Sequence, residues 1–109
     1  MSSLQAPASE QPLFAVCYDV SDDRERRHVD RTLQGFGFRV QRSVFECRMT
    51  PGALRKLRHQ LDQLGLKTGF VRLYRVLGTA PAGTVGKAPP HPDEAHAYVV
   101  ASPDRPPAA

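Results

Sequence analysis

A short apolar strand that leads directly into a capped helix is the feature that most constrains the fold of this chain. Residues 13–20, LFAVCYDV, are apolar on both faces of an extended strand except near its end, where Asp19 appears. A strand of this kind is typical of the centre of a sheet. Asp22, followed three residues later by Glu25, resembles a capping box, in which two side chains satisfy free backbone amides at a helix start. We therefore predict a central strand followed at once by a helix.

The position of Asp19 on this strand requires a physical explanation. A carboxylate on a mostly buried strand costs free energy unless it accepts hydrogen bonds, pairs with a cation or binds a metal ion. Arg26, at the edge of the apolar stripe of the following helix, is the arginine best placed to reach back toward the sheet. An ion pair with Arg26 is thus one interpretation of Asp19, and a metal site is another.

The remaining hydrophobic patterns predict five further elements. They are a helix at about 23–36, strands at 38–41 and 43–49, a helix from Pro51 to Gly65 with Thr50 as its N-cap, and a strand at 67–77. The order strand, helix, strand, strand, helix, strand is typical of the ferredoxin-like fold. This α+β fold has a four-stranded antiparallel sheet with both helices on one face. The other face of the sheet is left uncovered, and a homodimer is the simplest way to cover it.

Outside these elements the chain is rich in Pro, Gly and Ala. We predict disordered tails at 1–12 and 102–109, the ferredoxin-like domain at 13–78, a Pro/Gly-rich linker at 79–95 and an extra C-terminal strand at 96–101. That strand needs a sheet edge, in its own chain or in a partner. Because apolar runs are too short to cross a bilayer and the N-terminus lacks a signal-peptide pattern, we predict a cytoplasmic protein without a membrane partner.

Positive charge is concentrated in the predicted domain. The 109-residue chain has a formal net charge of +4, whereas residues 13–78 carry 13 Lys and Arg against 7 Asp and Glu, a balance of +6. On the first helix, Arg24, Arg27 and Arg31 lie opposite the apolar stripe. A basic folded region favours an anionic partner such as a nucleic-acid backbone, although a solvated basic surface is the simpler alternative.

Three motifs resemble those of a known family. The stretch YDVSDD with the paired arginines after it, then RVQRSVFEC, then VRLYRV are similar in order and spacing to the CRISPR-associated protein two (Cas Two) family, from Leu13 to about Val76. The resemblance implies a homodimer that acts in CRISPR adaptation, an antiviral defence, beside the integrase (protein one of the adaptation module) that inserts new spacers. It also implies Mg²⁺-dependent endonuclease activity on RNA or double-stranded DNA, which the scaffold role of some members does not need.

The resemblance also implies roles for particular residues. Asp19 matches the family's metal aspartate and Tyr18 the tyrosine before it, which makes them the candidate catalytic residues. Arg26, Arg39, Ser43 and Phe45 match family positions, and with Arg24, Arg27, Arg31 and Arg42 they form the candidate nucleic-acid-binding set. Arg42 stands where the family often has a tyrosine, and residues 67–69 replace an acid that often precedes the last core strand.

A single carboxylate is a sparse site for Mg²⁺, which needs six oxygen ligands and is usually held by one or two carboxylates with water and phosphate oxygens. A two-fold axis near Asp19 would bring two carboxylates together. No strong general base is evident, since His28 and His59 lie on predicted helices. Two functions therefore stay open. One is a nucleic-acid-binding subunit of the spacer-integration complex, which binds a protospacer duplex, and the other is a metal-dependent endoribonuclease like the stand-alone toxins of this fold.

Overall fold

The strands and helices of the predicted domain form in the expected order. This computed structural model describes residues 11–77 and 81–91. The elements are β1 (Leu13–Val20), α1 (Asp23–Gln34), β2 (Phe38–Gln41), β3 (Val44–Arg48), α2 (Pro51–Gln63) and β4 (Gly69–Val76). Residues 81–91 contain no helix or strand. The predicted strand at 96–101, the predicted tail at 102–109 and most of the predicted N-terminal tail lie outside the described residues.

The four strands form one antiparallel sheet in the order β2-β3-β1-β4. As predicted, β1 lies in the middle, paired with β3 on one side and with β4 on the other. Alternate residues of β1 pack with side chains from both helices, so α1 and α2 lie on the same face of the sheet. The predicted ferredoxin-like architecture is therefore confirmed.

The core lies between the two helices and this face of the sheet. On β1, Val16, Tyr18 and Val20 are at most 5% exposed. Their buried neighbours are Val29 and Leu33 from α1, Phe45 and Cys47 from β3, Leu57 and Leu61 from α2, and Met49. Each fully buried apolar side chain of this size stabilises the fold by about 1.5 to 3 kcal/mol.

The N-terminus of α1 is capped, and it is also tied to the loop before β4. The carboxylate of the N-cap Asp22 accepts a hydrogen bond from the Glu25 amide at 2.9 Å. The Glu25 carboxylate does not return to Asp22; it accepts from the amides of Lys67 and Thr68 at 3.0 and 3.1 Å. The Asp22 amide donates instead to the Thr68 hydroxyl. Only half of the predicted capping box forms, because the loop before β4 competes for Glu25.

α1 ends at Gln34, two residues before the predicted end at Phe36. Gly37 then passes so close to β3 that a Cβ there would lie 2.1 Å from the Glu46 carbonyl oxygen. The chain leaves the helix early because β2 must begin against β3. α2 begins as predicted, since the Thr50 hydroxyl accepts a hydrogen bond from the Ala53 amide at 3.1 Å.

Candidate nucleic-acid and metal site

The face of the sheet that neither helix covers, here called the open face, carries Asp19. In the β1–β4 register Asp19 lies opposite Phe70 and Cys17 lies opposite Arg72, so these four side chains share one face. Phe70 and Tyr74 keep 48% and 49% of their surface exposed. The Arg72 guanidinium lies 4.9 Å from the centre of the Phe70 ring. An exposed carboxylate therefore lies beside aromatic and cationic groups on an uncovered sheet.

The ion pair between Asp19 and Arg26 does not form. The Arg26 guanidinium donates to the carbonyl oxygens of Val20 and Ser21 at 2.8 and 3.2 Å and pairs with Asp23. Among residues 11–77 and 81–91, no side chain pairs with Asp19 or donates to its carboxylate. Arg26 thus holds the junction of β1 and α1, and the Asp19 carboxylate is left to solvent or to a ligand.

Tyr18 points away from Asp19, to the helix side of the sheet. Its hydroxyl donates to one carboxylate oxygen of Asp30 and lies 3.2 Å from the Arg42 carbonyl oxygen. The Arg39 guanidinium donates to the other oxygen of Asp30 at 2.8 Å and to the same Arg42 carbonyl at 2.7 Å. Burial, together with the bond to Asp30, raises the pKa of Tyr18 to about 12. The phenol is therefore protonated at neutral pH, and its hydroxyl is already hydrogen-bonded within the fold.

Phe45 is a core residue. Only 1% of its surface is exposed, the Tyr18 ring centroid lies 6.5 Å from its own, and the Arg39 guanidinium carbon lies 5.3 Å from the ring centroid. Phe45 thus has almost no surface with which to touch a nucleic acid. Its neighbours Arg42 and Ser43 form the turn between β2 and β3, where Arg42 is exposed.

The turn between β2 and β3 lies at the Asp19 end of β1. The Tyr18 amide donates to the Ser43 carbonyl oxygen at 3.1 Å, one residue beyond the last paired position of β1 and β3, where Cys17 faces Val44. The structure therefore places the candidate residues in separate parts of the domain. Asp19 lies on the open face, the Tyr18, Arg39 and Phe45 side chains lie under the turn, and Arg24, Arg27 and Arg31 are exposed on α1.

Basic side chains also border a groove between α2 and β4. Its volume is about 740 Å³, and its lining includes the basic residues Arg55, Arg58 and His59 and the apolar residues Leu61, Leu66, Val71 and Leu73. Val71 and Leu73 belong to the helix-facing side of β4, so the groove does not open toward Asp19. The groove and Asp19 are therefore separate features of the domain.

Sequence reasoning did not find the role of Asp30, and it assigned Glu25 only to the capping box. Asp30 links Tyr18 to Arg39, and Glu25 links α1 to the loop before β4. Asp30 follows the buried Val29 directly, and helical periodicity places it at the margin of the apolar stripe. That position was the available signal, but it does not say which strand the carboxylate reaches.

A single copy of the described residues does not complete a metal site. No three His, Cys, Asp or Glu side chains in this part of the chain lie close enough together to hold an ion. The chemistry of Asp19 suits Mg²⁺, because carboxylate oxygens are its preferred protein ligands. Further ligands would come from outside this part of the chain, for example from water, a bound phosphate or a second copy. In the same part of the chain, no helix has the length and apolar character that crossing a bilayer requires.

Comparison with known proteins assigns this fold to a family. The model of the family described as CRISPR associated protein Cas2 matches residues 13–80, which include every strand and helix of the sheet domain. The chain belongs to the Cas2 family. The resemblance in the sequence motifs is thereby confirmed.

Individual Cas2 proteins agree with the assignment. The "CRISPR-associated endoribonuclease Cas2" of Mycobacterium tuberculosis is 39% identical over 72 residues, covering 66% of this chain and 64% of that protein. This chain therefore matches less than two thirds of that relative's length. The "CRISPR-associated endonuclease Cas2 2" of Thermus thermophilus is 38% identical over 78 residues, 71% of this chain and 87% of that protein. The crystal structure of Streptococcus pyogenes Cas2 superposes with a TM-score of 0.58 at 33% identity, covering 68% of this chain and 99% of that one.

Proposed function

We propose that this protein is a homodimeric, nucleic-acid-binding subunit of the CRISPR spacer-integration complex in the cytoplasm. Its partners would be the integrase, protein one of the adaptation module, and a protospacer DNA duplex. The observation that carries the proposal is the open face, where the exposed Asp19 lies beside the half-exposed aromatic rings of β4. Membership of the Cas2 family supports the same role.

A second copy of the chain is the proposed cover for the open face. A small domain with one uncovered sheet face leaves apolar surface in water, and a symmetric partner covers the same patch on both copies. Phe70 and Tyr74 supply aromatic surface of the kind that interface cores use. Packing of two open faces would bring the two Asp19 carboxylates toward each other, while both α1 helices stay outside.

The nucleic acid is proposed to contact the basic surfaces outside the dimer interface. Arg24, Arg27 and Arg31 are exposed on α1, and Arg42 is exposed in the turn next to Ser43. Arg26 pairs with Asp23, and Arg39 pairs with Asp30, so we assign these two arginines to support of this surface. Guanidinium groups without base-specific partners bind phosphates irrespective of sequence.

Binding can be tested with fluorescent duplex DNA over a range of salt concentrations. The logarithm of affinity should fall linearly with that of salt, and the slope should shrink by about one for each phosphate contact removed. Replacement of Arg24, Arg27 or Arg31 by Gln, one at a time, should reduce the slope, whereas Lys87→Gln, in the exposed segment 81–90, is the charge-matched control. Salt-independent affinity, or a strong preference for one sequence, would refute the proposal.

Metal-dependent endonuclease activity is the second candidate function, favoured by the unpaired Asp19 and by the names of the relatives. Two Asp19 carboxylates from a dimer would hold one Mg²⁺ together with water and phosphate oxygens. Bound there, the ion would polarise a phosphodiester and lower the pKa of a water ligand. If the chain acts alone as a toxin-like endoribonuclease, RNA cleavage should not need the integrase.

Asp19→Asn separates cleavage from binding, because it removes the charge of the side chain and keeps its shape. The variant should lose Mg²⁺-dependent cleavage and keep dimerisation, measured by light scattering, and most of its affinity for duplex DNA. Asp62→Asn, on the exposed surface of α2, is the matched control and should cleave like the wild type. Cleavage by Asp19→Asn at the wild-type rate would remove the metal role, and a stable monomer at micromolar concentration would refute the dimer.

A further inference from the structure

The turn between β2 and β3 lacks the local signals that normally stabilise such a turn. Gln41 pairs with Val44, which leaves only Arg42 and Ser43 between the strands. Two-residue hairpin turns favour positive φ angles and therefore Gly or Asn. Arg42 and Ser43 are neither, and among the described residues no residue other than glycine has a positive φ. The register also shifts between Arg39 and Gln41. Side-chain contacts outside the two turn residues must therefore hold this turn.

Those contacts converge on one backbone atom. The Arg39 guanidinium donates to the Arg42 carbonyl oxygen at 2.7 Å, and the Tyr18 hydroxyl oxygen lies 3.2 Å from the same atom. Both side chains are bound by one carboxylate, since Asp30 accepts from the Tyr18 hydroxyl through one oxygen and from Arg39 through the other. Asp30 lies on α1, and only 24% of its side chain is exposed. One helical residue thus orients the Arg39 guanidinium that binds the turn carbonyl and the Tyr18 phenol that lies beside the same carbonyl.

We infer that Asp30 is a positioning residue for nucleic-acid binding, because it fixes the turn that presents Arg42 and Ser43. The inference rests on the proposed function, in which this turn contacts phosphate. Asp30 would not touch the nucleic acid. It acts by holding Arg39 and Tyr18 in the geometry that keeps the Arg42 carbonyl directed inward, so that the Arg42 side chain extends outward.

The direction in which the affinity for duplex DNA changes when Asp30 loses its charge distinguishes this role from simple electrostatics. Asp30→Asn removes a negative charge from a protein that binds a polyanion, so Coulomb attraction alone would tighten binding. If Asp30 positions the turn, the variant should instead bind duplex DNA about three- to tenfold more weakly, since an oriented arginine contact is lost. Asp62→Asn makes the same charge change on α2 and should bind as tightly as the wild type or slightly more tightly.

Two further measurements separate positioning from general damage to the fold. In an Arg42→Gln background, Asp30→Asn should cause no additional loss of affinity, because the two changes remove the same contact. Hydrogen exchange of the Tyr18 amide, which donates to Ser43 at 3.1 Å, should accelerate in Asp30→Asn and not in Asp62→Asn. If Asp30→Asn does not fold, Tyr18→Phe keeps the ring in the core, removes one donor and should weaken binding in the same direction.

The outcomes also separate this inference from the proposed function. Wild-type protein that binds no duplex DNA at low salt would refute the proposed function, and with it the role of the turn. Wild-type protein that binds, with Asp30→Asn binding equally or more tightly, would refute the role of Asp30 alone. Additive losses of affinity when Asp30→Asn is combined with Arg42→Gln would also refute the role of Asp30.

Discussion

Replacement of Phe45 by leucine tests whether a residue of the candidate nucleic-acid-binding set acts by contact or through the core. Phe45 is 1% exposed, so the substitution removes part of a buried ring. Substitution of a core residue by a smaller apolar one costs about 1 to 2 kcal/mol. Loss of the ring pair with Tyr18 adds about 0.5 to 1 kcal/mol. Loss of the Arg39 contact adds little, because 41% of the Arg39 side chain is exposed.

The expected total for Phe45→Leu is thus about 1.5 to 3 kcal/mol of unfolding free energy. For a domain of this size, each kcal/mol lowers the melting temperature by about 4 to 8 °C, so the midpoint should fall by roughly 6 to 24 °C. Circular dichroism measures that shift. At a temperature where the variant is fully folded, its affinity for duplex DNA should equal that of the wild type.

Leu57→Ala is the control for loss of stability alone. Leu57 is fully buried on α2 and does not contribute to the turn between β2 and β3. It should lower the midpoint by a comparable amount, since a buried Leu→Ala change costs about 2 to 5 kcal/mol. At a temperature where both variants are fully folded, each should bind duplex DNA with the affinity of the wild type. A folded Phe45→Leu protein with an unchanged midpoint and reduced affinity would refute the reasoning and give Phe45 a direct contact.

Three further predictions follow from particular contacts. Hydrogen bonds from the Thr68 hydroxyl and two loop amides lower the pKa of Glu25. The ionised Glu25 side chain should therefore stabilise the fold near neutral pH, and this stabilisation should disappear as pH falls below about 4. Below that pH, the urea midpoints of the wild type and Glu25→Gln should converge. Burial raises the pKa of the Cys47 thiol to about 11, so iodoacetamide should modify Cys47 in denatured but not in native protein, by mass spectrometry. Gly69→Ala should lower the melting temperature strongly, because its Cβ would lie 1.8 Å from the Asp19 carbonyl oxygen, whereas Gly35→Ala, with its nearest contact at 3.5 Å, should be tolerated.

The order of strands and helices, and most of their limits, could be predicted from the sequence. Those limits depend on local signals that act within a few residues: Asp22 as a cap, Thr50 followed by Pro51, and a glycine after each helix. The period of apolar residues then identified which positions are buried, and the motifs identified the family. The presence of Asp19 near the end of the central strand was also clear from the sequence, because a carboxylate interrupts an otherwise apolar run.

The partners of the polar side chains could not be predicted from the sequence, because they depend on how the strands and helices pack. Glu25 binds the loop before β4 and not the start of its own helix. Arg26 binds backbone carbonyl groups and Asp23, and it does not bind Asp19. The Tyr18 side chain points away from its neighbour Asp19. The caps depend on residues three or four apart, whose spacing the helix itself determines. The contacts of Glu25 and Tyr18 join groups that are far apart in sequence, and their geometry exists only after the strands have paired and the helices have packed on the sheet.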